Sequence, residues 1–477
     1  MRLSALFPDQ ALTSDPEISG LTADSRLVTS GSLFAALKGI AHDGHDFISM
    51  AIEQGAAAIL TDRPVETDLA EIIQVEDPRR ALALASARFY PEQPETIVAI
   101  TGTNGKSSTV DFLRQIWTRL GYRAASMGTL GAIGPDGKLD LGHTTPDPVA
   151  IHRTLSSLAG KKVSHVAMEA SSHGLAQHRL DGVALSAVAF TNLTQDHLDY
   201  HADFDDYRAA KLRLFSELAP EGACAVISAD SDETRVFETA AKEAGLTQVS
   251  VGWRGADLKI RELSPHATGQ QMDVLYGGKA HDITLPLIGE FQALNALGAA
   301  GLAIGLGAKA EDVFSAMESL QTVSGRLEFV GQTRTGGAVF VDYAHTPDGL
   351  DVLLRAARPH TAGRLFVIFG CGGDRDPYKR PIMGEIAARH ADTIIVTDDN
   401  PRSEDPGAIR KAILASCPDA REIPDRALAI NIAIDELQAG DTLLIAGKGH
   451  ESGQIIGDKI IPFSDQASAR EAMEAMV

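Results

Sequence analysis

At 477 residues the chain is longer than one hydrophobic core serves, so two to four domains are expected, and an apolar content of 44% suffices to fill them. A formal net charge of −21 argues against nucleic-acid or anionic-membrane partners, both of which need a basic face. Small anionic substrates met by local lysines and arginines remain open.

Three cysteines, Cys224, Cys371 and Cys417, lie far apart without metal-type spacing, as in a reducing cytoplasm. Met1 to Gln10 lacks a basic segment followed by an apolar run, and no stretch approaches membrane-spanning length. A soluble, cytoplasmic α/β protein is expected.

The first 93 residues read as a small α/β unit. A Gly/His/Asp-rich turn from Gly39 to Asp46 precedes a helical pattern over 47–54 and a short strand over 57–60, and Pro91-Glu92-Gln93-Pro94 closes the unit. The apolar run Val98-Ala99-Ile100 then breaks into Thr101-Gly102-Thr103-Asn104-Gly105-Lys106-Ser107-Ser108 before a helix expected over 108–120. Glycines let the backbone turn with its N–H groups inward. Lysine adds a point charge, the next hydroxyl can ligate Mg²⁺, and the helix offers its positive end to phosphate. The first glycine is Gly102, where G-x-x-x-x-G-K-[ST] wants one at Ile100, so the loop is a shortened variant.

Downstream, strand-like runs over 163–168 and 184–190 end in Glu169-Ala170-Ser171 and Thr191-Asn192, and Asp196-His197-Leu198-Asp199-Tyr200-His201 follows. Strand 223–228, a β-rich excursion over 258–287 and an Ala/Gly-rich helix entered at Asn295 come next. Strands 339–341, 365–369, 393–397 and 442–446 then end in Asp342-Tyr343-Ala344-His345, in the Gly370 to Asp376 loop, in Asp398-Asp399-Asn400-Pro401-Arg402 and in Gly447-Lys448-Gly449-His450-Glu451. Strands alternating with helices imply parallel sheets, whose functional residues gather where strands end.

Hard oxygen ligands suit Mg²⁺, so Glu169 with Ser107 makes a metal site. The Asp196–His201 string reads equally as part of that site or as a solvated helix cap, and Lys211 alone is as readily a surface charge. Arg375, Arg402 and Glu451 stand at strand ends of one sheet. A pocket holding both signs suits a zwitterion with more than one carboxylate, the alternative being an ion-pair network at the sheet edge.

Taken in order, the motifs at 102–107, 168–175, 196–201, 324–328, 342–345 and 447–451 resemble those of the Mur ligase family of bacterial cell-wall synthesis, along essentially the whole chain. The resemblance implies three domains: a UDP-substrate-binding α/β domain over 1–93, a central P-loop-type ATPase domain with a parallel sheet over 94–327, and a C-terminal Rossmann-like amino-acid-binding domain over 328–477. It implies an ATP- and Mg²⁺-dependent ligase, a monomer working on small molecules, that adds meso-diaminopimelate to UDP-N-acetylmuramoyl-L-alanyl-D-glutamate. A lysine-adding relative and a folylpolyglutamate synthetase-like ligase are the alternatives.

By the same resemblance, Lys106, Glu169, His197 and Lys211 would be catalytic. Ser107, Glu169, His197 and Lys211, the last as a CO₂-derived carbamate, would hold metal. ATP would lie on Gly102, Thr103, Asn104, Gly105, Lys106, Ser107 and Ser108, with Asn295, Arg326, Asp342 and His345. The muropeptide would meet Ser25, Ile40, Ala41, His42, Thr144, Thr145, Ser171, Gln177 and Arg179. Diaminopimelate would meet Arg375, Asp399, Asn400, Pro401, Arg402, Gly447 and Glu451. His143 stands where related enzymes often carry asparagine, which bears on one muropeptide contact.

Overall fold

The computed structural model describes residues 1–39, 42–194 and 200–475. Its chain divides into two compact units, one of residues 1–257 with 298–313, the other of 258–297 with the chain from Phe314 on.

The first unit contains two sheets. Strands β1 (Gly20–Thr22), β2 (Ser32–Ala35), β3 (Ala58–Thr61) and β4 (Glu71–Gln74) pair in parallel in that order. Helix Pro78–Phe89 covers them, with proline at its first turn and the Asp77 carboxylate accepting the Arg80 N–H as its cap. Leu33, Leu60, Ile73 and Leu82 form the core between sheet and helix.

The larger sheet comprises β5 (Thr96–Thr101), β6 (Ala124–Gly128), β7 (Gly131–Gly134), β8 (Gly137–Leu139), β9 (His165–Glu169), β10 (Ala187–Phe190), β11 (Cys224–Ser228) and β12 (Thr247–Gly252). Their order is β12–β11–β10–β5–β9–β6–β7–β8, parallel except for the β6–β7–β8 meander at one edge. Residues 97–100 of β5 are fully buried because both faces are covered, hence the unbroken apolar run. Helix Lys106–Arg119 buries Phe112, Leu113, Ile116 and Trp117, each contributing about 2 kcal/mol of apolar transfer.

Several boundaries differ from the sequence reading by one to three residues, as where the strand expected over 184–190 is Ala187–Phe190, and two of them have a clear local cause. The helix begins at Lys106 and not at residue 108, because Gly105 at φ 85° finishes the loop and the chain turns helical at once. Strand β9 begins at His165 and not at 163: Lys162 sits at φ 60° and the Leu158 carbonyl takes the Val163 N–H, so the preceding helix closure consumes those residues.

In the second unit, β13 (Leu258–His266), β14 (Gly269–Tyr276) and β15 (Lys279–Leu285) form an antiparallel meander. Buried His360 anchors it. Its Nε2 accepts the Gly289 N–H at 2.9 Å and its Nδ1 faces the carbonyls of His266 and Gly269 at 2.9 and 3.0 Å. These partners require neutral imidazole protonated on Nδ1, and burial correspondingly holds its pKa below the usual histidine value.

The second sheet of that unit has β16 (Glu328–Gln332), β17 (Ala338–Asp342), β18 (Leu365–Phe369), β19 (Thr393–Val396), β20 (Arg421–Glu422) and β21 (Thr442–Ala446), in the order β16–β17–β21–β18–β19–β20. All pairs but β16–β17 are parallel. Phe340, Val367, Phe369 and Leu444 fill one face and Val339, Val341, Phe366, Ile368 and Ile445 the other, which is why these strands read as continuous apolar runs. Parallel strands bring the loops after β17, β18, β19 and β21 to one edge. A separate hairpin, β22 (Gly453–Ile456) with β23 (Lys459–Pro462), follows that edge.

Candidate active site

In the first unit the loop after β5 is fastened to the loop after β10. The Asn192 carbonyl accepts the Thr103 N–H at 2.8 Å, its side-chain oxygen accepts the Asn104 N–H at 3.0 Å, and the Thr191 hydroxyl donates to the Asn104 carbonyl at 2.6 Å. Gly102, at φ 149°, leaves no room for a Cβ, which would stand 1.9 Å from the Thr191 hydroxyl. Lys106 folds over this loop, its ammonium donating to the carbonyls of Gly102 and Thr103 at 2.9 and 2.8 Å. Ser107 and Ser108 occupy the first turn of the helix, where backbone N–H groups lack intrahelical partners.

Lys211 lies on helix Phe204–Arg213 and is 1% exposed. Its Nζ donates to the Gly102 carbonyl at 2.9 Å, so Lys106 and Lys211 meet the same oxygen. The Tyr207 ring lies 4.6 Å from this ammonium, a cation–π contact that offsets part of its desolvation. The reading of Lys211 as a solvated surface charge is therefore wrong.

Glu169 ends β9 and is 3% exposed. One carboxylate oxygen accepts the Thr129 N–H at 2.8 Å and the other the Thr129 hydroxyl at 3.3 Å. No described residue supplies it an ion pair, and burial of a carboxylate on hydrogen bonds alone is chemistry that a cation would complement. The Thr129 hydroxyl also meets that of Thr144 at 3.0 Å, and the Thr145 hydroxyl donates to the Glu169 carbonyl while accepting the Ser171 N–H. Gln177 joins the Tyr200 hydroxyl to the Arg179 guanidinium, which also donates to the Thr145 carbonyl. Thr144, Thr145, Ser171, Gln177, Arg179 and Glu169 are thus one hydrogen-bonded surface.

His201 was not among the expected site residues. Its Nδ1 meets Asp206 at 3.0 Å, its Nε2 is buried without a hydrogen-bond partner, and its ring lies 5.7 Å from that of His173. Its place at the end of the Asp196–His201 string was the available signal. His197, Ile40 and Ala41 lie outside the described residues. Ser25 is buried at the start of a short turn capped by Asp24, while His42 and His143 are exposed. Among the described residues no cluster of three or more histidine, cysteine or acidic side chains is placed to hold a metal.

In the second unit, Asn295 contacts Gln292 at 3.4 Å, and Gln292 reaches the Arg326 carbonyl at 3.5 Å. The Arg326 guanidinium lies 5.1 Å from the centre of the Tyr343 ring, and Tyr343 packs edge-on against His345 at 4.6 Å. The Asp342 carboxylate accepts the N–H groups of Leu327 and Ala344, both at 2.7 Å. Burial outweighs those bonds and the pull of Arg326, and pushes its pKa up. The Asp342 carbonyl accepts the Gly447 N–H at 3.1 Å, and a Cβ on Gly325 would stand 2.3 Å from the His450 nitrogen. The 325–327 turn and the 447–451 loop are therefore packed backbone to backbone.

On the same edge, Lys448 is fully buried. Its ammonium meets Asn400 Oδ1 at 2.9 Å, Glu451 Oε2 at 3.1 Å and Asp399 Oδ1 at 3.4 Å. Asn400 in turn donates to Glu451 at 2.9 Å. Arg402 holds a left-handed backbone at φ 51°; its N–H donates to the Ile455 carbonyl, fixing it to the hairpin, and its guanidinium donates to the Gly373 carbonyl at 2.8 Å. Pro401 is buried between these motif residues, and Arg375 is exposed on the neighbouring loop. Beneath them, Arg426 and Asp465 form a fully buried two-point ion pair at 2.7 and 2.8 Å. Lys448 and this pair were missed as site residues: the lysine lay inside a quoted motif, whereas nothing local marks Arg426 or Asp465.

Among the described residues, no helix is long and apolar enough to cross a membrane. Residues 17–90 match the Mur ligase family catalytic domain, residues 100–303 the Mur ligase middle domain and residues 325–449 the Mur ligase glutamate ligase domain. The chain is 53% identical to the UDP-N-acetylmuramoyl-L-alanyl-D-glutamate–2,6-diaminopimelate ligase of Bradyrhizobium diazoefficiens, across 97% of this chain and 96% of that one. It is 52% identical to the ligase of the same name from Caulobacter vibrioides, across 100% and 99%. A solved structure of a ligase of that name superimposes with a TM-score of 0.80 at 30% identity, covering 100% of this chain and 99% of its own.

Proposed function

The chain belongs to the Mur ligase family, and from that membership we propose that it is an ATP-dependent ligase of peptidoglycan precursor synthesis, joining meso-diaminopimelate to the D-glutamate γ-carboxylate of UDP-N-acetylmuramoyl-L-alanyl-D-glutamate. The observation that carries the choice of amino acid is that one sheet edge bears both the Arg402 guanidinium, held on the Gly373 carbonyl, and the acidic pair Asp399 and Glu451, held on Lys448. A guanidinium pairs a carboxylate in two-point fashion and the acids take an ammonium, which together describe the distal end of meso-diaminopimelate. L-Lysine, the amino acid of the nearest alternative, would leave Arg402 unsatisfied.

The γ-carboxylate attacks the ATP γ-phosphoryl group, ADP departs, and an acyl phosphate forms. The amine of diaminopimelate then attacks the acyl carbon, phosphate leaves, and the nitrogen sheds its proton. Loop N–H groups of residues 102–108 and the Lys106 ammonium hold the phosphates, the ammonium exchanging its two carbonyl partners for phosphoryl oxygens as charge spreads. Asn295, Arg326, Asp342 and His345 take the nucleoside end. Thr144, Thr145, Ser171, Gln177 and Arg179 orient the peptide acid with Ser25 and the 40–42 turn, and Asn400, Pro401, Gly447 and Arg375 line the amino-acid pocket.

Mg²⁺ would sit on Ser107 and Glu169, with His197 and a carboxylated Lys211 as further ligands, supplying positive charge to the transferring phosphoryl group. The buried Glu169 carboxylate, without an ion-pair partner among the described residues, fits that role. Carboxylation would make Lys211 an anion, reversing its preference for the Gly102 carbonyl. The chain would work in the cytoplasm as a monomer.

The test offers purified protein ATP, Mg²⁺, the muropeptide and each amino acid in turn. Tripeptide formation with phosphate release on meso-diaminopimelate is the expected result. Preference for L-lysine overturns the specificity, and no phosphate release with either amino acid overturns the ligase assignment.

A further inference from the structure

Lys448 is enclosed by the groups expected to receive the amino acid, yet the proposed reaction gives it no task. It is 0% exposed, and its three partners come from two loops: Asp399 and Asn400 after β19, Glu451 after β21. Asn400 closes the ring by donating to the same Glu451 oxygen that Lys448 meets. Its side-chain oxygen also accepts the Ile455 N–H at 2.9 Å, and Ile455 offers its carbonyl to the N–H of Arg402. One ammonium thereby fixes the acidic half of the pocket and, through Asn400 and Ile455, the backbone that carries Arg402.

The charge arrangement is as informative as the geometry. Arg426–Asp465 and Arg380–Glu404 are self-neutral pairs, and on the exposed rim the charges of the adjacent Arg375 and Asp374, the latter accepting from Ser403, offset one another. What remains facing the pocket is Asp399 and Glu451 against Lys448 and Arg402, whose charges cancel. The distal end of meso-diaminopimelate, an ammonium beside a carboxylate, is also neutral, whereas the distal end of lysine carries one positive charge. Without Lys448 the pocket would be anionic and would suit the lysine end better.

We propose that Lys448 is a specificity-determining residue that balances Asp399 and Glu451, so that the pocket accepts a zwitterionic amino-acid end and disfavours a purely cationic one. The inference rests on the reading of this pocket as the amino-acid site. Lys448 is a positioning residue, since its ammonium acts through the two carboxylates and Asn400.

The experiment measures kcat and KM for meso-diaminopimelate and for L-lysine with the unmodified protein, Lys448→Met and Lys448→Gln, the glutamine keeping a donor for Asn400 should methionine unfold the loop. The expected result is a fall of tenfold or more in the kcat/KM ratio of meso-diaminopimelate over L-lysine. It should be carried by a higher KM for meso-diaminopimelate, with KM for ATP within twofold of its starting value. A merely structural lysine would depress both amino acids alike and leave the ratio unchanged, which overturns the inference. An unmodified protein that does not prefer meso-diaminopimelate overturns the pocket reading and this inference together. An unmodified protein with that preference and variants that retain it overturn this inference alone.

Discussion

Gly128 is the floor on which Glu169 rests: a Cβ on this glycine would stand 2.1 Å from a Glu169 carboxylate oxygen. β6 and β9 are paired neighbours, so neither backbone can retreat without breaking the ladder. Gly128→Ala should displace the carboxylate by about 1 Å, which costs on the order of 100-fold in kcat where a group must meet a reacting centre. Phosphate release measured against Mg²⁺ concentration, with the melting temperature as control, checks this. Unchanged turnover would mean that Glu169 has no part in catalysis.

Arg402 is held by its strained backbone, by the hairpin and by the Gly373 carbonyl. Arg402→Ala removes a charge-assisted, two-point partner, for which about 3 kcal/mol, or roughly 100-fold in KM for meso-diaminopimelate, is expected. Arg402→Lys should recover little, because an ammonium cannot reproduce the fork. Isothermal titration with the amino acid and initial-rate kinetics both read this, and a wild-type KM in Arg402→Ala would place the distal carboxylate elsewhere.

How much of this was legible in the sequence follows from where the information lies. The apolar strands of both large sheets announced themselves because both faces are covered, and the loop at 102–107 because glycine and lysine there have a local purpose. Glu169 and Arg402 are marked by their chemistry at strand ends, whereas Lys211 is marked only by the family pattern. The β6–β8 meander and the β22–β23 hairpin were not identified: β6 is buried but is the weakly β-forming run Ala-Ala-Ser-Met-Gly, and the other strands are short and at least partly exposed. Arg426 and Asp465 were invisible for another reason: 39 residues separate them, and their meaning arises only from the burial that the finished fold imposes.

His360 gives a pH prediction with a definite sign. Burial holds its pKa below the unfolded value of about 6.5, so the native state prefers the neutral ring. The stability it contributes is complete above that unfolded value and is lost as pH falls toward the folded one, because the unfolded chain binds the proton first. Unfolding midpoints between pH 7.5 and 5 should therefore decline. His360→Ala should be less stable by about 2 kcal/mol at pH 7.5 and flatter over that window. An equal slope in both proteins would contradict the assignment.

The Arg426–Asp465 pair predicts a non-additive effect. Asp465→Ala leaves a guanidinium buried without its anion, one of whose nitrogens already lacks a partner, and should cost about 3–5 kcal/mol in denaturant unfolding. Replacing both, as Arg426→Met with Asp465→Leu, should return most of that loss. A double variant as unstable as the single one would show that the pair does more than neutralise itself.

Gly325 and Gly449 also close a distance that no side chain can share: the Cβ of either would press into the other loop or into Tyr343. The 325–327 turn and the 447–451 loop consequently behave as a single mechanical part. A shift of the 447–451 backbone would be transmitted to the 325–327 turn and Asp342, so an amino-acid preference retuned without weakening the proposed grip on ATP should come from side chains that leave this backbone in place.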